Sequence, residues 1–296
     1  VRLGIPILLS RQDRAESLAS AERAGAGEDG PLDLDPAWLE ARPLGLTGGV
    51  TAVRQLAREL SRAAAARLRG RGRGSGQRVQ SHVKAEYELP SVDYYADLSR
   101  CRPMIHRGSL RWASSAAFRQ QLVETVLETA RRLGAKRVLE VGFGDGVNVW
   151  LMNRLHPDLE LELFGFDYSF HRAALASHRL RPGDCRGYFN GDAKNIALQD
   201  QSFDLVYTSY CLEQLAYDLP QVLAEIARVG RHALLIEPFL GVQNVWGRLH
   251  GYRCDYPEDI PAAARAAGLQ PLALRRLGAG KIFNQAGALL ARSSAA

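Results

Sequence analysis

The 296-residue chain has four cysteines, four lysines and no long apolar run, and each shortage excludes something. Cys101, Cys185, Cys211 and Cys254 lie far apart with no CxxC pair. That spacing argues against a disulfide scaffold and against a metal site, and it fits a reducing compartment. No apolar stretch approaches the roughly 18 residues that span a bilayer. The opening apolar stretch is short and interrupted by Pro6, unlike a signal peptide. The expectation is a cytoplasmic protein with no membrane span. Acid is scarce in one place: residues 51–84 carry nine Lys or Arg against Glu59 alone. The net charge of +6 is therefore concentrated in that segment, and the remainder is close to neutral.

Three regions follow along the chain. Residues 1–50 mix Gly, Pro, Asp and Ala without periodicity and read as an irregular extension. In 51–69, Val53, Leu56, Ala57, Leu60 and Ala64 share a helical face, with arginines on the rest. Arg-Gly repeats at 69–76 make a flexible basic linker. Residues 85–114 are rich in aromatics, including Tyr94, Tyr95 and Trp112, and contain Pro90 and Pro103. They read as an irregular lid, so 51–114 forms a second region.

From Ser115 onward, apolar strands alternate with amphipathic helices. This predicts an α/β domain over 115–296, a Rossmann-like doubly wound sheet of seven strands. Its last two strands, 270–277 and 282–291, are joined by a short turn and form a C-terminal antiparallel hairpin. The decisive segment is Val138-Leu-Glu-Val-Gly-Phe-Gly-Asp-Gly146. A buried strand runs into Gly142, Gly144 and Gly146, and Val147, Trp150, Leu151 and Leu155 continue at helical spacing. Such a strand–turn–helix unit holds a nucleoside cofactor. The third glycine falls one place early for a dinucleotide fingerprint, and Asp145 in the turn would repel a pyrophosphate. Asp167 ends the second strand, where a carboxylate accepts from a ribose diol. Asp192 ends the third and is suited to an exocyclic amine. With Glu140, these acids face one crevice.

On these residues the domain resembles the class I S-adenosylmethionine-dependent methyltransferases of the type 11 superfamily. Residues 138–146 are similar to the first motif, Gly191-Asp192-Ala193 to the adenine element, and Phe203-Asp204-Leu205-Val206 through Leu215 to the strand-four motif. The resemblance implies S-adenosylmethionine as cofactor. It implies Glu140, Gly142, Phe143, Gly144, Gly146, Asp167, Tyr168, Asp192, Ala193 and Ser209 as the residues around it. It also implies methyl transfer to a small-molecule acceptor at oxygen or nitrogen, in secondary metabolism. Gln214 stands where family members often carry a histidine base.

Three residues are candidates for handling the acceptor's proton. His250 lies near Trp246 and Tyr252, in a segment (239–256) expected to wall the acceptor. His106 lies in the aromatic segment, and Glu213 in the strand-four motif. Tyr94 and Tyr95 are candidates to cover the acceptor. Two other functions remain open at this point: an RNA methyltransferase whose arm is the basic segment 54–84, and a non-catalytic cofactor-binding partner subunit. An NAD dehydrogenase ranks behind both.

Overall fold

The computed structural model describes residues 7–8, 33–68, 95 and 97–296. The Arg-Gly stretch at 69–76, the rest of the basic segment to Lys84, and Tyr94 lie outside them. The centre of the domain follows from local sequence. Strand β5 (Arg137–Val141) runs parallel to β6 (Glu162–Asp167) on one side and β8 (Phe203–Ser209) on the other. β7 (Gly187–Gly191) and β9 (Gly230–Glu237) extend the parallel set. β10 (Leu269–Lys281) and β11 (Asn284–Ser293) form the antiparallel hairpin, with β11 inserted beside β9.

The sheet is larger than seven strands. A hairpin of β3 (Cys101–His106) and β4 (Ser109–Ser114) joins the β10 edge, and β2 (Ala41–Arg42) pairs with β4. The two-residue β1 (Ile7–Leu8) pairs with β7, giving eleven strands in the order β1-β7-β6-β5-β8-β9-β11-β10-β3-β4-β2. The irregular lid expected over 85–114 is thus a sheet hairpin from Cys101 onward. Its turn is Arg107–Gly108, with φ of 47° and 78°. Both central residues in the left-handed region match the right-handed twist of the flanking strands. Pro103 is tolerated because β10 meets β3 only at Met104 and Ile105.

The first helix, α1 (Gly45–Leu68), starts six residues before the expected 51. Gly48 reads as a breaker but serves packing. A Cβ there would lie 2.9 Å from the Leu44 side chain and 3.1 Å from the Trp112 ring. α2 (Ser115–Leu133) is capped by the Ser114 hydroxyl, which accepts from the Ala117 N–H, and is stopped by left-handed Gly134. Helices α3 (Val147–Leu155), α4 (Phe170–Arg179) and α5 (Leu219–Val229) cover the parallel strands. α6 (Val245–Arg253) and α7 (Ile260–Ala266) complete the order.

One face of the sheet packs Leu122, Val126, Val138 and Trp150, and the other packs Leu139, Val206, Val222 and Leu235. Trp150 is fully buried and meets the Tyr95 ring edge-on at 5.4 Å, directly behind the glycine turn. Trp150→Ala is expected to cost about 3–5 kcal/mol. A urea titration checks this, and an unchanged midpoint contradicts the packing described.

Candidate functional site

The turn after β5 is shaped by three left-handed glycines, with φ of 77° at Gly142, 59° at Gly144 and 78° at Gly146. A Cβ on Gly142 would lie 2.5 Å from Cys211 Sγ, so a side chain is excluded there on two grounds. The Gly142 and Phe143 N–H groups donate to the Phe166 carbonyl at 3.1 and 2.9 Å. Asp167 fixes the next residue: Oδ2 accepts from the Gly144 N–H and Oδ1 from the Ser169 N–H, both at 2.8 Å. The acid that ends β6 therefore braces the turn that ends β5. Asp192 Oδ1 accepts from the Lys194 N–H at 2.9 Å, in the loop after β7.

These groups border one cavity of about 420 Å³. Gly142, Phe143, Gly144, Asp167, Tyr168, Asp192, Ala193 and Ser209 line it, and so does Glu213. Glu140 and Gly146 stand behind the lining. Gly146 caps α3. Glu140 is buried, with Oε1 accepting from Asn148 Nδ2 at 2.6 Å and Oε2 from the Tyr207 hydroxyl at 2.7 Å. Burial pushes its carboxyl up to about 8. Asn148 Oδ1 in turn accepts from Arg119 at 2.9 Å, so the pair ties α2 to α3 and β5. Glu237, also raised to about 8 by burial, accepts from the N–H groups of Cys211 and Leu212 at 3.1 Å each. It sets the loop on which Glu213 follows. Asn284 Nδ2 donates to Glu213 Oε2 at 3.3 Å, and burial raises the Glu213 pKa.

The histidines fall elsewhere. His250 lies outside the cavity lining, with Nδ1 2.9 Å from Glu59 Oε1 on α1. Burial opposes its charge, but hydrogen bonds with Cys254 and Glu59 outweigh burial and hold its pKa at about 9. Outside the lining and paired with Glu59, the imidazole is a latch between α1 and α6, and it reaches the Tyr256 hydroxyl, a partner of Glu213, at 3.5 Å. His106 ends β3, where its Nδ1 meets Gln121 Nε2 at 2.9 Å outside the lining. No residue of 239–256 lines the cavity, and Trp246 and Tyr252 are exposed. Tyr95 is buried against Trp150, and its hydroxyl donates to the Asp145 carbonyl at 3.2 Å. It braces the glycine turn from behind and does not cover an acceptor.

Sequence reasoning missed the far wall: Arg102 and Met104 from β3, Phe118 and Arg119 from α2, and Lys281 and Asn284 from the terminal hairpin. One signal was available, because two of the chain's four lysines, Lys194 and Lys281, line this cavity. Among the described residues, no group of His, Cys, Asp and Glu could hold a metal ion. No helix there is long and apolar enough to cross a membrane.

Asp167, Asp192 and the glycine turn line one cavity at the carboxyl ends of parallel strands, a lining suited to the ribose diol and exocyclic amine of a nucleoside. Asp145, which the sequence set against a pyrophosphate, lies outside that lining. Fold and site therefore define a domain that holds a nucleoside cofactor at the carboxyl ends of parallel strands. Residues 139–233 match the family described as a methyltransferase domain. Residues 139–233 are thus similar to a methyltransferase domain, and S-adenosylmethionine is the cofactor that this likeness supports. A malonyl-[acyl-carrier protein] O-methyltransferase from Marinomonas sp. (strain MWYL1) is 31% identical over 152 residues, or 50% of this chain. The chain spans about half of that relative's length (53%).

Among solved structures, magnesium protoporphyrin IX methyltransferase from Synechocystis PCC 6803, with bound S-adenosylhomocysteine, is 15% identical with a TM-score of 0.46. The match covers 59% of this chain and 83% of that one. The [4+2]-cyclase SpnF is 18% identical with a TM-score of 0.48, covering 61% and 82%.

Two outcomes follow from this geometry. Asp167→Ala removes charge-assisted hydrogen bonds worth about 1.5–3 kcal/mol, so S-adenosylhomocysteine should bind roughly ten- to hundredfold more weakly by calorimetry. Unchanged affinity contradicts the site. The Glu59–His250 latch sets a pH window. Its histidine contribution is full below the unfolded value of 6.5 and lost as pH rises through about 9. Against burial, His250 and Arg253 hold Glu59 down at about 2, so its contribution is full above 4.5 and lost only as pH falls through about 2. The wild-type melting temperature should fall between about pH 6 and pH 10 more than that of His250→Gln. Parallel curves contradict the latch.

Proposed function

We propose that the protein transfers a methyl group from S-adenosylmethionine to a small-molecule acceptor at oxygen or nitrogen. The observation that carries this reading is the continuity of one cavity. The glycine turn, Asp167 and Asp192 border one part of it, and Met104, Phe118 and Leu122 supply an apolar wall in another. The bound cofactor supplies a sulfonium-activated methyl carbon that an acceptor displaces in line. The chain's own contribution is placement, since holding the reacting atoms aligned at about 3 Å lowers the barrier without further chemistry.

In this reading the left-handed glycines admit the methionine part against the backbone, and Asp167 orients the ribose while fixing the turn. Phe118 and Met104 exclude water and press an apolar acceptor towards the cofactor. Of the three proton-handling candidates from the sequence, Glu213 is the one that lines the cavity. Its raised pKa makes its carboxylate a better proton acceptor near neutral pH. It takes the proton of a hydroxyl or ammonium acceptor, in place of the histidine base that the family resemblance leads one to expect at Gln214. The malonyl-[acyl-carrier protein] O-methyltransferase is the precedent for oxygen as the attacking atom.

A screen of hydroxy- and amino-substituted acceptors with methyl-labelled cofactor tests the activity. Cofactor binding without turnover on any acceptor favours a non-catalytic partner subunit. With a turning-over acceptor, Glu213→Gln should lower kcat by roughly 10²-fold or more and leave S-adenosylhomocysteine affinity unchanged. In the wild type, activity should fall on acidification as Glu213 takes up a proton, and that limb should vanish in the variant. A persistent acid limb with normal kcat removes Glu213 from the reaction.

A further inference from the structure

The far wall of the cavity carries a lysine that, among the described residues, has no carboxylate in ion-pairing range. Lys281 occupies the turn end of the terminal hairpin, in register with Asn284 on β11 and with Met104 on β3. Directly opposed residues on adjacent strands point to the same face, and all three line the cavity. The position is held tightly. A Cβ on the preceding Gly280, whose φ is 137°, would lie 2.3 Å from the Asn284 carbonyl oxygen and 2.8 Å from the Gln285 Cα. The backbone of Lys281 therefore has little freedom to swing away.

Three other cavity cations, Arg102, Arg119 and Lys194, have polar partners of their own, and Arg172 also lines the cavity. Arg102 pairs with Asp97 and donates to the Ser115 hydroxyl at 2.8 Å. Arg119 donates to Asn148. Lys194 lies 3.9 Å from Asp192 and 3.8 Å from Asp218. Among the described residues, no carboxylate lies within ion-pairing distance of the Lys281 ammonium. Glu213 shares this end of the cavity, but it is held by Asn284 and hydrogen-bonded with the Tyr256 hydroxyl. Lys281 is exposed to solvent, and the cavity wall around it together with the nearby Arg102 lowers its pKa. Of the groups facing it, Arg102 and Arg119 oppose its charge, and Glu213 and Asp97 favour it.

Resting on the methyltransferase reading above, we propose that Lys281 anchors an anionic group of the acceptor, which is a carboxylate attached to an apolar body. A charge-assisted hydrogen bond to an ammonium in a partly dry cavity is strong enough to select such a ligand. Met104, Phe118 and Leu122 receive the apolar body. A monoanion suits the site better than a phosphate dianion, because Glu213 and Asp97 stand close to the same ammonium. The anchor holds a group of the acceptor in place; it takes no proton and is not the base.

Calorimetry on the full chain saturated with S-adenosylhomocysteine tests this with matched probes: benzoate and hexanoate against benzamide and hexanamide, with phenyl phosphate as the dianion. In the wild type at least one acid should bind about tenfold or more tightly than its amide and than the phosphate. Lys281→Met should bring acid and amide together, and Lys281→Arg, which keeps the charge, should retain the preference. S-adenosylhomocysteine affinity should be the same in all three proteins, which also verifies that the variants fold. Equal binding of acid and amide by the wild type overturns the proposal. So does a preference that survives Lys281→Met, a phosphate bound more tightly than the acids, or no binding of either acid. Failure of the wild type to bind S-adenosylhomocysteine is a different result and strikes the underlying cofactor reading.

Discussion

The hydrogen bond from the Gly144 N–H to the Asp167 carboxylate is the constraint on which the rest of the site depends. It fixes the turn after β5 to the end of β6, so two adjacent strands present their carboxyl ends as one surface. The glycines make that turn possible, and the carboxylate makes it a single conformation. Because Asp167 Oδ1 is also bound to the Ser169 N–H, the start of α4 is tied to the same acid. A cofactor entering the cavity meets a surface whose conformation has already been set, which reduces the ordering cost of binding.

Two buried glutamates extend this order outward. Glu140, below the turn, joins β5 to α3 and, through Asn148 and Arg119, to α2. Glu237, at the end of β9, holds the loop that presents Glu213. Both are pushed up by burial, yet each is satisfied by donors whose positions matter to the cavity. Buried, fully bonded polar groups of this kind specify one arrangement of the elements they join. The far wall is organised differently, by strand pairing: β3 and the β10–β11 turn bring Met104, Lys281 and Asn284 together. One half of the cavity is thus set by the parallel sheet, and the other by the hairpin added to its antiparallel edge.

What the sequence made legible follows from the range of the interactions. The segment 138–146 could be read because its strand, glycines and helix are consecutive, and α2 could be read between its Ser114 cap and its Gly134 stop. The seven strands expected over 115–296 are β5 to β11; the added hairpin before them was missed because its turn is Arg107–Gly108, not an Asn-Gly signal, and Pro103 argued against a strand. His250 was drawn toward catalysis by its aromatic neighbours, while its actual partner, Glu59, lies 191 residues away in sequence. Lys281 stood out by the scarcity of lysine but could not be placed, since only long-range pairing carries it to the cavity. Local spacing encoded the glycine-turn side of the cavity, and tertiary register encoded its far wall.

The central claim is that this cavity holds a sulfonium nucleoside and no dinucleotide. Parallel calorimetric titrations of the wild-type chain with S-adenosylhomocysteine and with NAD test it most directly. Saturable binding of S-adenosylhomocysteine at one site per chain, with no heat of binding from NAD, is the result expected. Saturable binding of NAD, with none of S-adenosylhomocysteine, would contradict it.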